Sequence, residues 1–246
     1  MITDEFKKMS SMIINDYIQK ENEGKSLPIK EIVFSTDIIR DIRERDCDFN
    51  KTSSLTLSGY TALFSDNTAS VIVDISGVTK NFFWIETLVH ELTHTKDYCD
   101  YLKVLNYENI REMKKHRPFY FWTEFHARYK GFEYMLPYVL RLPEKYKQQY
   151  IYDTENRLKG FVDIKEKQCN SDEKIYYTMH IIGEILSYEK LSIYLDETLQ
   201  QKITEKFVWF DETKAFLEKH TDGITTTEMV RLSMNMKNIF DEQECE

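Results

Sequence analysis

The sequence predicts an α+β fold. A small antiparallel sheet and one metal-capable helix are expected within residues 1–135, followed by a mostly helical region over 136–246. Three observations lead there. The 246 residues include only 7 Gly and 4 Pro, which favours long helices over a loop-rich β fold. Residues with high strand propensity concentrate in one stretch, 55–75. Elsewhere apolar residues recur mainly at helical spacing.

Taken in order, Phe6, Met9, Ile13, Ile14 and Tyr17 predict a helix over 4–21, broken between Gly24 and Pro28. Glu31 to Ser35 reads as a short strand and Asp37 to Asp46 as a helix. Leu55, Leu57, Tyr60, Leu63 and Phe64 form one β-rich run, and Val71, Ile72, Val73 and Ile75 another. Asp66-Asn67 offers the turn of a hairpin between them. A loop through Gly77 then leads to a helix over 82–102, with Asn81 as its N-cap. From Pro118 onward, helices are expected over 119–136, 144–168, 173–195, 197–219 and 226–240. Thr225-Thr226-Thr227-Glu228 reads as a capping box for the last. No internal repeat or low-complexity tract interrupts the pattern.

Composition narrows the function. The net charge of −9, with no block of Lys and Arg, argues against a nucleic-acid partner. The nearest approach, Arg111 to Arg117, is short and reads as a solvated loop or helix end. No apolar run approaches the ~20 residues needed to cross a bilayer, so no membrane role is expected. Cys47, Cys99, Cys169 and Cys245 lie far apart without a C-x-x-C pair, which suits reduced thiols. The first residues lack the apolar core of a signal peptide, and a cytoplasmic location is expected.

The chemistry concentrates in His90-Glu91-Leu92-Thr93-His94, an H-E-x-x-H motif. With 6 His and 25 Glu in the chain, random placement gives about 0.015 such matches. Histidines four apart stack on one helix face, so both imidazoles can share one zinc ion. Glu91 can then act as general base on a water that the metal activates. On a helical wheel Ile85, Leu88, Val89 and Leu92 form an apolar stripe. His90, His94, Asp97 and Tyr101 form the opposite stripe, with Glu86 beside it. The competing reading is two ordinary histidines on a solvated face.

A catalytic zinc takes three protein ligands. Phe121 to Arg128 holds two candidates for the third, Glu124 and His126. About 200° separates them on a helix, so they cannot both face one metal. Phe121, Phe125 and Phe132 would partly bury Glu124, and a buried carboxylate needs a partner. That partner is either the metal or Arg128 at i+4. The residues alone leave both open.

The run His90 to Asp97, followed by Glu124-Phe125-His126-Ala127, resembles a gluzincin metallopeptidase. The pattern H-E-x-x-H-x-x-D … E-F-x-A is similar to that of anthrax-lethal-factor-like and Mlc-titration-factor-like peptidases. The looser form resembles the ImmA/IrrE family, as does a hairpin just before the helix. The resemblance covers about residues 30–135 and implies a zincin-like core with His90, His94 and Glu124 as metal ligands. It also implies Asp97 as an orienter of a ligand histidine and Ala127 as a small residue at a close helix approach. Thr93 stands where an H-E-x-G-H form has Gly.

Peptide hydrolysis also needs a group to stabilise the oxyanion. Tyr120, four residues before Glu124, and His180, on a later helix, are the candidates. His180 with Glu184 could also hold a second metal, or be a simple i,i+4 contact. His116, His126 and His220 have no context that lifts them above packing roles. The expected activity is therefore zinc-dependent peptide hydrolysis, with a protein or peptide substrate extended along an edge strand near 69–75. The rivals are a non-catalytic zinc-stabilised regulatory or protein-binding module and a helical interaction protein carrying the motif by accident.

Overall fold

The computed structural model describes residues 3–49, 57–76, 82–164, 170–193 and 195–242. The chain divides into two units, Met1–Lys115 and His116–Glu246. The division falls before the helix that carries Glu124, and earlier in the chain than residue 135.

The first unit holds α1 (Asp4–Glu21), β1 (Ile29–Ser35), α2 (Ile38–Arg45), β2 (Gly59–Leu63), β3 (Ala69–Asp74) and α3 (Phe83–Tyr101). A short 3₁₀ turn at Glu112–Lys115 closes it. Thr3 caps α1 by accepting the Phe6 N–H at 3.2 Å. Phe6 meets Phe34 and Trp84 at 4.9 and 4.6 Å between ring centroids, which locks α1 onto β1 and α3. The sheet order is β1-β3-β2. β2 and β3 make the expected antiparallel pair, turning at Asn67 with φ 63°. Asn tolerates that left-handed backbone, and its side chain accepts the Ile110 N–H at 3.0 Å.

Two expectations fail here. The sheet is mixed rather than antiparallel, because β1 pairs parallel with β3. The stretch 69–75 is not an edge either. β3 is hydrogen-bonded on both sides, and Ala69–Val73 is buried throughout. Its unbroken Val-Ile-Val run is the signature of a strand covered on both faces. The loop through Gly77, the Asn81 cap and the Leu55 end of the hairpin lie outside the described residues. α3 itself starts from Phe82 without a side-chain cap.

The second unit holds α4 (Arg117–Val139), α5 (Glu144–Val162), α6 (Ser171–Lys190), α7 (Glu197–Lys206), α8 (Phe210–Glu218) and α9 (Thr226–Glu242). Pro118 sits in the first turn of α4, where no N–H is needed, and His116 Nδ1 accepts the Phe119 N–H at 3.1 Å. Asn170 with Glu173 caps α6, and the predicted Thr225–Glu228 box caps α9. The single helix expected over 197–219 is two. The chain breaks at Phe207, which turns inward onto Phe161 at 5.2 Å, while Phe210 packs on the same ring at 5.7 Å. Burying both rings outweighs one continuous helix.

α4 and α6 pack at Gly183. A Cβ there would lie 2.8 Å from the Phe125 carbonyl oxygen, so the two backbones approach as no other residue would allow. Ser187, one turn on, donates to the Tyr129 carbonyl at 2.8 Å. Glu184 is buried in the same seam, bound by Thr154 at 2.8 Å, by Arg157, and by Arg128 at 3.4 Å. Burial pushes its carboxyl up, but the two guanidiniums outweigh that and hold it below its usual range. Among the described residues no helix is long and apolar enough to cross a membrane.

Candidate metal centre

α3 is buried on nearly all sides, including its polar stripe. His90, Glu91, His94 and Asp97 are buried along with Ile85 and Leu88. A solvated face is therefore excluded for the two histidines. The i,i+4 spacing stacks their rings edge-to-face at 4.6 Å between centroids. The two Nε2 atoms lie 3.0 Å apart. Two imidazole nitrogens that close need a proton on one of them or a cation shared by both. Nitrogens on one tetrahedral zinc, each ~2.0–2.1 Å from it, are about 3.3 Å apart, so the spacing suits metal ligation. On the far side of His90, Glu86 Oε1 lies 3.8 Å from Nδ1.

Thr93, in place of the Gly of related motifs, has a structural task. Its hydroxyl accepts from Tyr17 at 3.0 Å and donates to the Val89 carbonyl at 2.8 Å, tying α1 to α3. Thr95 donates to the Glu91 carbonyl at 3.1 Å. The Glu91 carboxylate faces β2, where Thr61 donates to its Oε2 at 2.7 Å.

On α4, Glu124 and His126 meet different neighbours. His126 stacks on Trp122 at 4.9 Å with 20° between the rings. Glu124 points the other way, where His180 Nε2 donates to its Oε2 at 2.9 Å. Arg128, four residues after Glu124, reaches Glu184 and lies over the Phe132 ring at 4.7 Å. Glu184 is likewise occupied by arginines, so His180 and Glu184 do not make a second metal pair. His180 is backed by the Tyr176 ring at 4.2 Å, and Tyr176 stacks on Tyr120 at 6.3 Å. Tyr120 and His180 thus belong to one chain of contacts ending on Glu124. The structure gives His180 a carboxylate to orient.

Among the described residues, His90, His94 and Glu124 form the group able to hold a metal ion. All three are buried. Two imidazoles and a carboxylate are a donor set that zinc accepts. Ala127 is fully buried on α4, as is Asp97 on α3. Cys47 and Cys99 are free thiols, and burial raises Cys99 to about 11, which leaves it protonated and unreactive. Cys169 and Cys245 lie outside the described residues.

Three residues that matter here escaped the sequence reading: Thr61, Gly59 and Gly183. Two left a signal. A Gly inside a strand pattern or a helix pattern marks close backbone approach. Thr61 left none, because any strand welcomes a Thr. Comparison with known protein families, with curated proteins and with solved structures finds no match.

Proposed function

We propose that the chain is a zinc-dependent peptidase of the gluzincin type, acting on a protein or peptide. The observation that carries this reading is the buried His90–His94–Glu124 group with Glu91 in sequence between its histidines. A structural zinc site has no use for that glutamate, whereas a hydrolase needs a base. His90 and His94 would bind through Nε2, and Glu124 through a carboxylate oxygen. A bound zinc ion supplies Lewis-acid polarisation of a carbonyl and lowers the pKa of water. The Glu91 carboxylate would take a proton from the water that adds to the scissile carbonyl and pass it to the leaving amine nitrogen. His180 would aim Glu124 through its hydrogen bond to Oε2. The low water content of a buried site strengthens each of these interactions. An extended substrate would lie along β2, an edge of the sheet among the described residues and the strand that touches Glu91.

The test is Glu91→Gln. The variant keeps about one zinc per chain by atomic absorption and loses about 10²–10⁴-fold in cleavage of a peptide library. Zinc binding by the wild type without any cleavage would replace this reading with a non-catalytic zinc-stabilised module.

A further inference from the structure

We infer that Thr61 and Gly59, on strand β2, position the Glu91 carboxylate for proton transfer, an inference that rests on the peptidase reading above. Thr61 and Glu91 are 30 residues apart in sequence, and both are buried. The Thr61 hydroxyl lies 2.7 Å from Glu91 Oε2 and 3.1 Å from the Glu91 carbonyl. A hydroxyl has one proton to donate. The carbonyl already receives the Thr95 hydroxyl, so the carboxylate, as the charged and nearer acceptor, takes the Thr61 proton.

Gly59 acts on the other oxygen. A Cβ at Gly59 would fall 2.5 Å from Glu91 Oε1, 2.9 Å from Glu91 Cγ and 2.6 Å from Thr87 Cγ2. A side chain there would have to displace the Glu91 carboxylate and the Thr87 methyl from the positions they hold. Residues 59 and 61 share one face of β2 by the period of two. Tyr60, between them, points to the opposite face. It donates to Asp46 Oδ2 at 2.6 Å, and Lys114 joins both at 3.1 Å. Pairing of Gly59 with Val73 and Thr61 with Val71 sets the register. The strand is thus pinned from behind and along its edge while its front face holds the glutamate. A glutamate side chain in solvent has several rotamers, and one hydrogen-bonded at Oε2 in a space that Gly59 leaves open has fewer. That is the use of a clamp on a base: the carboxylate is already placed when substrate arrives.

The experiment uses the zinc-loaded full chain as wild type, Thr61→Val, Thr61→Ser and Gly59→Ala. Zinc content is read by atomic absorption, and kcat and KM are read on a quenched-fluorescent peptide drawn from a library. Thr61→Val should keep its zinc and lose about 10-fold in kcat with little change in KM, and Thr61→Ser should recover most of that loss. Gly59→Ala should keep its zinc and lose more. A second readout needs no activity. Thr61→Val should lower the urea midpoint of the wild type, and should lower it much less in a Glu91→Ala background. Unchanged kcat in Thr61→Val, a serine variant as poor as the valine one, or equal midpoint shifts in both backgrounds would each overturn the clamp. A wild type that holds zinc and cleaves nothing would instead overturn the peptidase reading.

Discussion

Replacing His180 by alanine tests the support of the third ligand directly. The substitution removes the 2.9 Å hydrogen bond to Glu124 Oε2 and leaves every proposed zinc ligand in place. A hydrogen bond to a charged group is worth about 1.5–3 kcal/mol. If that energy holds Glu124 in its binding rotamer, its loss appears in metal affinity at about tenfold per 1.4 kcal/mol. The ceiling is therefore about 100-fold, in line with the 10–100-fold seen when metal ligands lose their supporting partners. His180 retains 18% side-chain exposure against 9% for Glu124, so water can replace part of the bond. The expected loss is accordingly near the lower end, about tenfold. The assay is competition for zinc against a fluorescent chelator at one fixed pH. His180→Gln, whose amide N–H can reach the same oxygen, should recover much of the affinity. Zinc affinity in His180→Ala equal to wild type, or no recovery by glutamine, would refute the argument.

Other outcomes follow from the second unit. His126→Ala should leave zinc stoichiometry unchanged, because His126 faces Trp122 and not Glu124, while the lost stack lowers unfolding stability by about 1 kcal/mol in a urea titration. Gly183→Ala gains about 1 kcal/mol in helix propensity but sets a Cβ 2.8 Å from the Phe125 carbonyl. Overpacking of about 1–3 kcal/mol should win, lowering the melting temperature and weakening zinc binding through His180, one turn earlier on α6. Glu184 has a folded pKa below its ordinary 4.5, so the unfolded state binds its proton first. Its contribution is present above pH 4.5 and is lost as pH falls through the folded value. Glu184→Gln should be less stable at pH 7 and show a flatter decline in acid, measured by urea midpoints between pH 3 and 7. An unchanged acid slope would show that the Arg128 and Arg157 pairing carries no net stability.

Much of the local structure was legible in the chain because its causes are local. The helices expected over 4–21, 144–168 and 226–240 correspond to α1, α5, which ends at Val162, and α9, because apolar spacing and a cap such as Thr225 act within a turn or two. The β2–β3 hairpin follows from Asn67, whose own conformation makes the turn. His90 and His94 needed only the helical period to stand together, and Glu91 needed only its place between them. What tertiary structure alone decided lies where a residue's meaning depends on a distant neighbour. Whether β3 was an edge or an interior strand depended on β1, a parallel partner that no turn signal announces. Whether Glu124 or His126 faced the metal group depended on what each found, His180 for one and Trp122 for the other. Arg128 could have paired with Glu124 by sequence spacing, yet the α4–α6 seam offered it Glu184. Thr61 became a partner of Glu91 only when the sheet carried it across 30 residues to α3. Periodicity and capping are short-range forces written in adjacent residues, whereas the pairing of a buried charge is settled by whichever group the packed core brings within hydrogen-bond reach.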